Sequence, residues 1–428
     1  MFYELLREKW PHIWDSIQST DSNPLQYTVL EEGPVSSIQV NGIQLSSAYN
    51  PWREAELQAA RVPKNHDTVY VYGFGTGELA RVLLQRPQIK KLVIVILNPQ
   101  LFRVVAEFFP CIDILQDPRV YLALATEYSD VRLPFAAATA SLVLADDYAR
   151  DLADKVFVEL AAEHNAARHG DSCSWIGKQL NENESLIAAD RDVRELMQDK
   201  LEQAIVVGAG PTLTQQIAWL KANTDMYMVA VDAALKPLLM HGLKPDVVLA
   251  IDPSGDHVFR HLQVDESSAK GIDLVYFPVV RNDVLKAWPG PRYVAYPRHK
   301  LYHELDTRLP RGKLFASGSV FHPAVDLCVK KGAKKIYMVG ADFAFPDDHT
   351  HVEGSSFNRS LSSTGELPGV FTRVRNGEGK EIKTQSSFLG YLTELEDYIS
   401  RRPEVKFINM SRKGARINGA VYPDEVEY

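Results

Sequence analysis

The sequence predicts an α/β protein made of two doubly wound domains in tandem, joined by a helical connector. Three observations carry this. Runs of Val, Ile and Leu recur without polar alternation, as in "KKLVIVILN" and "QAIVVGAG", the signature of parallel strands covered on both faces. Helical segments separate those runs, as a parallel sheet requires. A strand that stops at a glycine-rich loop occurs twice, at "VYVYGFGTGEL" (69–79) and at "AIVVGAGPTL" (204–213).

Taken in order, residues 1–20 predict an amphipathic helix. Residues 25–48 predict short extended pieces divided by Gly-Pro and Asn-Gly turns. The alternation then begins: "TVYVYGFG" strand, "GELARVLLQR" helix, "KKLVIVILN" strand, "QLFRVVAEFF" helix, and "SLVLADDY" a further strand. From 151 to 203 the pattern turns helical and includes the acid-rich "NENESLIAADRDVRELMQDK". A second set of strands follows: "QAIVVGAG", "YMVAVDAA", "DVVLAID", "DLVYFPVV", "RYVAYPR", "KLFASGS", "KIYMVGADF" and "KFINMS". Helices stand between them, most clearly "TLTQQIAWLKAN" and "HPAVDLCVKKGA". The expected division is an N-terminal Rossmann-like domain over 1–160, the connector over 161–203, and a second Rossmann-like domain, the catalytic one, over 204–428.

With 428 residues, 45% of them hydrophobic and 24% charged, the chain has the composition of an ordinary globular protein with a core in each domain. Its net charge of -8 argues against nucleic acid or an anionic membrane as partner, since both need a basic face. The longest apolar run, "FAAATASLVLA" (135–145), is too short to span a bilayer, and the charged N-terminus does not read as a secretory signal. Cys111, Cys173 and Cys328 have no CxxC spacing and suggest neither disulfides nor zinc. These features predict a cytoplasmic protein without membrane insertion.

The first glycine loop places Gly73, Gly75 and Gly77 between a strand and a helix, where a dinucleotide or S-adenosylmethionine would sit. The carboxylate that should hold the ribose at the next strand tip is replaced by Asn98. Tight strand-to-helix packing is the simpler account of these glycines. Asp146 and Asp147 read as a strand end and a helix start.

The second loop has better company. Gly208, Ala209 and Gly210 form the turn and Pro211 suits a first helical position. Thr212 stands where its hydroxyl and the helix N–H groups can meet a phosphate. No GK[ST] follows, so it is not a Walker loop. The next two strands end in Asp232 and Asp252, candidates for ribose or a metal, with helix capping as the alternative. Ser317, Gly318 and Ser319 form a second small-residue loop ahead of a helix. Asp342 ends a later strand, and His349 and His351 follow it as candidate general acids or bases. Arg298, His299, Lys300, Tyr302 and His303 could meet an acidic sugar or a phosphate, or simply form a solvated helix face.

The segments "VVGAGPTL", "VAVDAALKPLLMHGLKPDVVLAID", "SGSVFHPAVDLCVKKGAKKIYMVGADFAF" with "HTHVEG", and "INMSRKGARINGAVY" together resemble the Maf (motility-associated factor) flagellin glycosyltransferases. They are also similar to the 6-hydroxymethylpterin diphosphokinases. The resemblance is dense over about 200–350 and 407–422 and looser over 69–110. It implies a central domain like that of bacterial sialyltransferases, moving a CMP-activated nonulosonic acid to Ser or Thr of flagellin, with no cofactor required. On that resemblance Gly208, Ala209, Gly210, Pro211 and Thr212 contact the nucleotide, Asp232 and Asp252 lie near ribose, base or Mg²⁺, and Ser317, Gly318 and Ser319 hold the donor. His351 or His349 is the base, with Asp342 in the catalytic group. There are departures: Ala209 stands where sialyltransferases carry Asn, Thr212 replaces Ser, and Asp232 replaces Asn. Acidic strand tips are nearer the diphosphokinase pattern, where they suit a magnesium-bound triphosphate. A non-catalytic binding or assembly protein is the third expectation.

Overall fold

The computed structural model describes residues 2–19, 25–30, 37–109, 111–169, 172–253, 255–355 and 371–425. The chain forms an α/β fold and divides into two compact units, Met1–Ala162 and Glu163–Tyr428.

In the first unit β1 (Tyr27–Leu30), β2 (Ser37–Val40) and β3 (Ile43–Gln44) form an antiparallel meander. The principal sheet is parallel, built from β4 (Thr68–Tyr72), β5 (Lys91–Ile96), β6 (Val120–Leu124) and β7 (Phe135–Ala137) in the order β6-β5-β4-β7. Its two faces explain the unbroken apolar run of β5: Leu92, Ile94 and Ile96 enter one core, Val93, Val95 and Leu97 the other. The first core also takes Leu6, Trp10, Ile13 and Ile17 from the N-terminal segment. That segment is two helices, Phe2–Lys9 and Pro11–Ser19, where the sequence predicted one. Pro11 lacks the N–H to continue a helix but fits the first position of a new one.

"SLVLADDY" is not a strand. The strand lies earlier, at β7, and Thr139–Val143 is a short helix. A continuous apolar stretch cannot distinguish a buried strand from a buried helical turn, and here the run contains one of each. Asp146 caps a 3-10 turn, accepting from the Asp147 N–H at 2.8 Å.

In the second unit eight strands form one parallel sheet: β8 (Arg191–Asp192), β9 (Gln203–Val207), β10 (Tyr227–Val231), β11 (Val247–Ala250), β12 (Asp273–Tyr276), β13 (Arg292–Val294), β16 (Lys335–Val339) and β19 (Lys406–Asn409). Their order is β19-β16-β9-β10-β11-β12-β13-β8. Residues 204–207 of β9, at its centre, are wholly buried. The chain winds outward from β9 through β10 to β13, then crosses back to lay β16 on the other side of β9. The switch point of the sheet therefore lies between β9 and β16, where ligands of open α/β sheets collect beyond the carboxyl ends.

Three features depart from the sequence reading. "KLFASGS" gives only β15 (Lys313–Leu314), which pairs with β14 (Tyr296–Pro297) in a separate two-stranded ribbon. β17 (Phe371–Arg375) and β18 (Glu381–Gln385) form an antiparallel hairpin. In the polar stretch before β9, the helix ends at Ala189 and the chain enters the sheet as β8.

Candidate functional site

The loop after β9 is fastened to the loop after β16, across the switch point. The Gly208 N–H donates to Val339 O at 2.7 Å and the Gly210 N–H to Gly340 O at 3.0 Å. The backbones meet so closely that a Cβ on Gly208 would stand 2.5 Å from Gly340 O, and one on Gly210 would overlap the Asp342 carboxylate. Glycine is required here by space.

Asp342, 3% exposed, reaches back to the first turn of the helix Leu213–Ala222. Its Oδ2 accepts from the Thr212 N–H at 2.9 Å and its Oδ1 from the Thr212 hydroxyl at 2.6 Å. The groups that the sequence offered to a phosphate are thus taken by a carboxylate of the same chain. Both anions answer the same need, since a helix N-terminus exposes unpaired donors and a positive dipole end. Burial raises the Asp342 carboxyl to about 6, against the lowering effect of the two Thr212 donors. Gly414 packs against the same carboxylate, and the Ala415 N–H donates to Asp342 O at 2.8 Å.

Asp232 and Asp252 lie at the tips of adjacent strands but in different surroundings. Asp232 begins the helix Asp232–Met240, is buried, and faces His261 Nδ1 at 3.3 Å. Asp252 is exposed. Among the described residues no group of three or more His, Cys, Asp and Glu is arranged to hold a metal ion.

The loop of Ser317, Gly318 and Ser319 is held by two residues that the sequence reading did not single out. His322 is fully buried, accepts from the Ser317 N–H at 3.2 Å through Nδ1, and places Nε2 2.8 Å from Tyr391 O. These contacts fix the Nε2–H tautomer, and burial lowers the imidazole to about 4, so it is neutral. Tyr391, on the helix Ser386–Ser400, lays its ring against Gly318, where any Cβ would collide with it. Its phenol is raised by burial and then by the charge of Asp252. The histidine after "SGSVF" was a readable signal, at the second position of a helix behind a small-residue loop. Tyr391 had none, because its helix comes 70 residues later.

The loop carrying His349 and His351 returns to the glycine loop. The Thr384 hydroxyl donates to Phe343 O at 2.6 Å and the Phe345 N–H to Lys383 O at 2.9 Å, so β18 supports the start of this segment. The Val352 N–H then donates to Ala209 O at 2.9 Å. His351, half-buried, is therefore one residue from a direct tie to the glycine loop, whereas His349 is exposed.

The first unit repeats the arrangement without the room. Its glycine loop also lies at a switch point, between β4 and β7: Gly73 packs on Ser141 and Gly75 on Ala138. The crevice is filled by Phe74 and Phe102, whose rings stand 4.8 Å apart, leaving a cavity of about 10 Å³. That is one water's worth of space. Asn98 caps the following helix, accepting from the Leu101 N–H at 3.1 Å and donating to Leu144 O at 2.9 Å.

Residues 178–348 match the 6-hydroxymethylpterin diphosphokinase MptE-like family. The matched span begins before β8 and ends just past Asp342, so it takes in the glycine loop, both strand-tip aspartates and the serine loop. No curated protein matches the chain. Among solved structures, a Maf glycosyltransferase from Magnetospirillum magneticum AMB-1 is similar at 15% identity and a TM-score of 0.45, over 99% of this chain and 74% of that one. A spermidine synthase in complex with the transition-state analogue AdoDATO is similar at 14% identity and 0.23, over 27% of this chain and 44% of that one. Spermidine synthase from Thermotoga maritima is similar at 12% identity and 0.24, over 28% and 48%. Among the described residues no helix is long and apolar enough to cross a membrane.

Proposed function

We propose that the second unit is a nucleotide-dependent transferase that moves a nonulosonic acid from its CMP ester to a serine or threonine hydroxyl of a protein, flagellin being the expected acceptor. The observation that carries this reading is the tie between Val352 and Ala209, which sets the His351 loop beside the glycine loop at the switch point. In this reaction His351 takes the proton of the acceptor hydroxyl, whose oxygen bonds to the anomeric carbon as the bond to the phosphate oxygen breaks. CMP leaves with the electron pair. The loop of half-buried Ser317 and Ser319 around exposed Gly318 faces the donor, held in place by His322 and Tyr391. Asp342 is a brace for the glycine loop in this scheme, and Thr212 acts through it. His349 is the reserve base.

A second reading, a diphosphokinase acting on a pterin with Mg²⁺ and ATP, is favoured by the family match over 178–348. Mg²⁺ is commonly held by one or two carboxylates with the rest of its shell from water and substrate phosphates. Asp252, exposed at its strand tip, suits that part better than Asp232, which is engaged with His261.

One experiment separates the readings. The full chain is heated with CMP, CMP-nonulosonic acids, or ATP with Mg²⁺, and product is sought with a flagellin or a pterin as acceptor. Stabilisation by CMP and sugar transfer support the first; metal-dependent release of AMP with a pterin overturns it in favour of the second. Lack of response to any nucleotide would point to a binding or assembly role.

A further inference from the structure

A cavity of about 650 Å³ opens where β13 passes into β14, lined by Tyr296, Arg298, His299, Tyr302, His303 and Lys313 among others. Its size is that of a small-ligand site. The ribbon β14–β15 forms part of it, with Tyr296 and Lys313 directly paired across the strands. From Lys313 the chain runs through Phe315 to Ser317, so the cavity lies a few residues from the serine loop along the same strand exit. Tyr296 and Tyr302, both buried, set their rings 5.9 Å apart at 36°, and the Tyr296 hydroxyl is tied to Leu309 O at 2.7 Å, so these rings fix the wall behind the cavity.

The charged groups of the lining are Arg298, Lys313 and Asp306. Lys313 is paired with Asp306 at 2.6 Å, whereas Arg298 is exposed and has no acidic partner among the described residues. His299 uses Nδ1 to accept from the Leu301 N–H at 3.3 Å, which leaves Nε2 as its donor. His303 adds a further imidazole. An excess of positive charge here runs against the net charge of -8 on the chain. An exposed arginine fork takes a carboxylate or phosphate.

We propose that this cavity is a binding site for a small compound bearing a carboxylate or a phosphate, with Arg298 as the principal anion contact. The site stands on its own lining and does not depend on the transfer reaction.

The test is calorimetric titration of the full chain with N-acetylneuraminic acid and with ribose 5-phosphate, each beside its neutral counterpart, the methyl ester and ribose. At least one acid should bind about tenfold more tightly than its counterpart, the value of one charge-assisted contact. R298Q should reduce that binding by about tenfold and leave the melting temperature unchanged. Saturation with CMP identifies the source of the anion: competition assigns the cavity to a nucleotide phosphate, and independent binding assigns it to the acid itself. Equal binding of acids and neutral forms, or wild-type affinity in R298Q, overturns the proposal. A chain that binds the acid and not CMP would instead sink the donor reading and leave this site standing.

Discussion

Asp342 shows how one side chain can answer a need that the sequence assigns to a ligand. Its position at a strand tip was readable; its partner, Thr212, lies 130 residues away and was not. The consequence for stability has a definite sign. A carboxyl raised to about 6 in the fold holds its proton more tightly than in the unfolded chain. Its contribution is therefore most favourable at low pH and declines as pH rises from about 4 through about 6. Wild type should lose about 2–3 kcal/mol relative to Asp342→Asn across that window, read from urea midpoints at successive pH values. A constant difference between the two proteins would show that the carboxyl does not titrate there. The base proposed for the transfer behaves otherwise: His351→Ala should abolish transfer while CMP binding stays within about twofold, since a base in this role touches the acceptor and not the nucleotide. Transfer at the wild-type rate would remove His351 from the mechanism.

At the scale of elements, the two glycine loops follow one plan. Each leaves a strand at the switch point of its sheet and packs against the segment that follows the neighbouring strand, Ser141 and Ala138 in one case, Gly340 and Asp342 in the other. The strand, loop and helix of each were legible because continuous apolar runs and glycines are local signals. The partner segments were not, because closeness across a sheet leaves no local mark; "SLVLADDY" read as a strand although the strand lies earlier, at Phe135–Ala137, and Thr139–Val143 is a helix. The hairpin β17–β18 escaped notice because its strands bury little: among the described residues β17 buries Val374 and β18 only Thr384. If glycine at 210 is demanded by the Asp342 carboxylate, Gly210→Ala should cost about 1–3 kcal/mol by overpacking, and combining it with Asp342→Ala should recover part of that loss. Strictly additive effects in the double variant would show that the two positions do not meet.

For the molecule as a whole, the filling of the crevice at each switch point separates the two units as candidates for a ligand. Both sheets have a switch point, and glycine count alone would favour the first, with three glycines against two. Yet Phe74 and Phe102 close the first crevice to about 10 Å³, while the second unit carries exposed Asp252, Gly318 and His349 on loops that follow the carboxyl ends of its strands. Ligand linkage turns this contrast into a measurement. A nucleotide at one hundred times its dissociation constant adds about 2.7 kcal/mol to the unit that binds it. For a unit of this size that raises the melting temperature by roughly 5–10 °C. S-adenosylmethionine at millimolar concentration should add nothing, since only opening the Phe74–Phe102 contact would admit it, and that exposes two large apolar rings. Replacing both phenylalanines with alanine would empty the crevice at a cost of several kcal/mol. A shift with S-adenosylmethionine in the wild-type chain would mean that the first crevice opens on its own, and would return the ligand site to the first glycine loop.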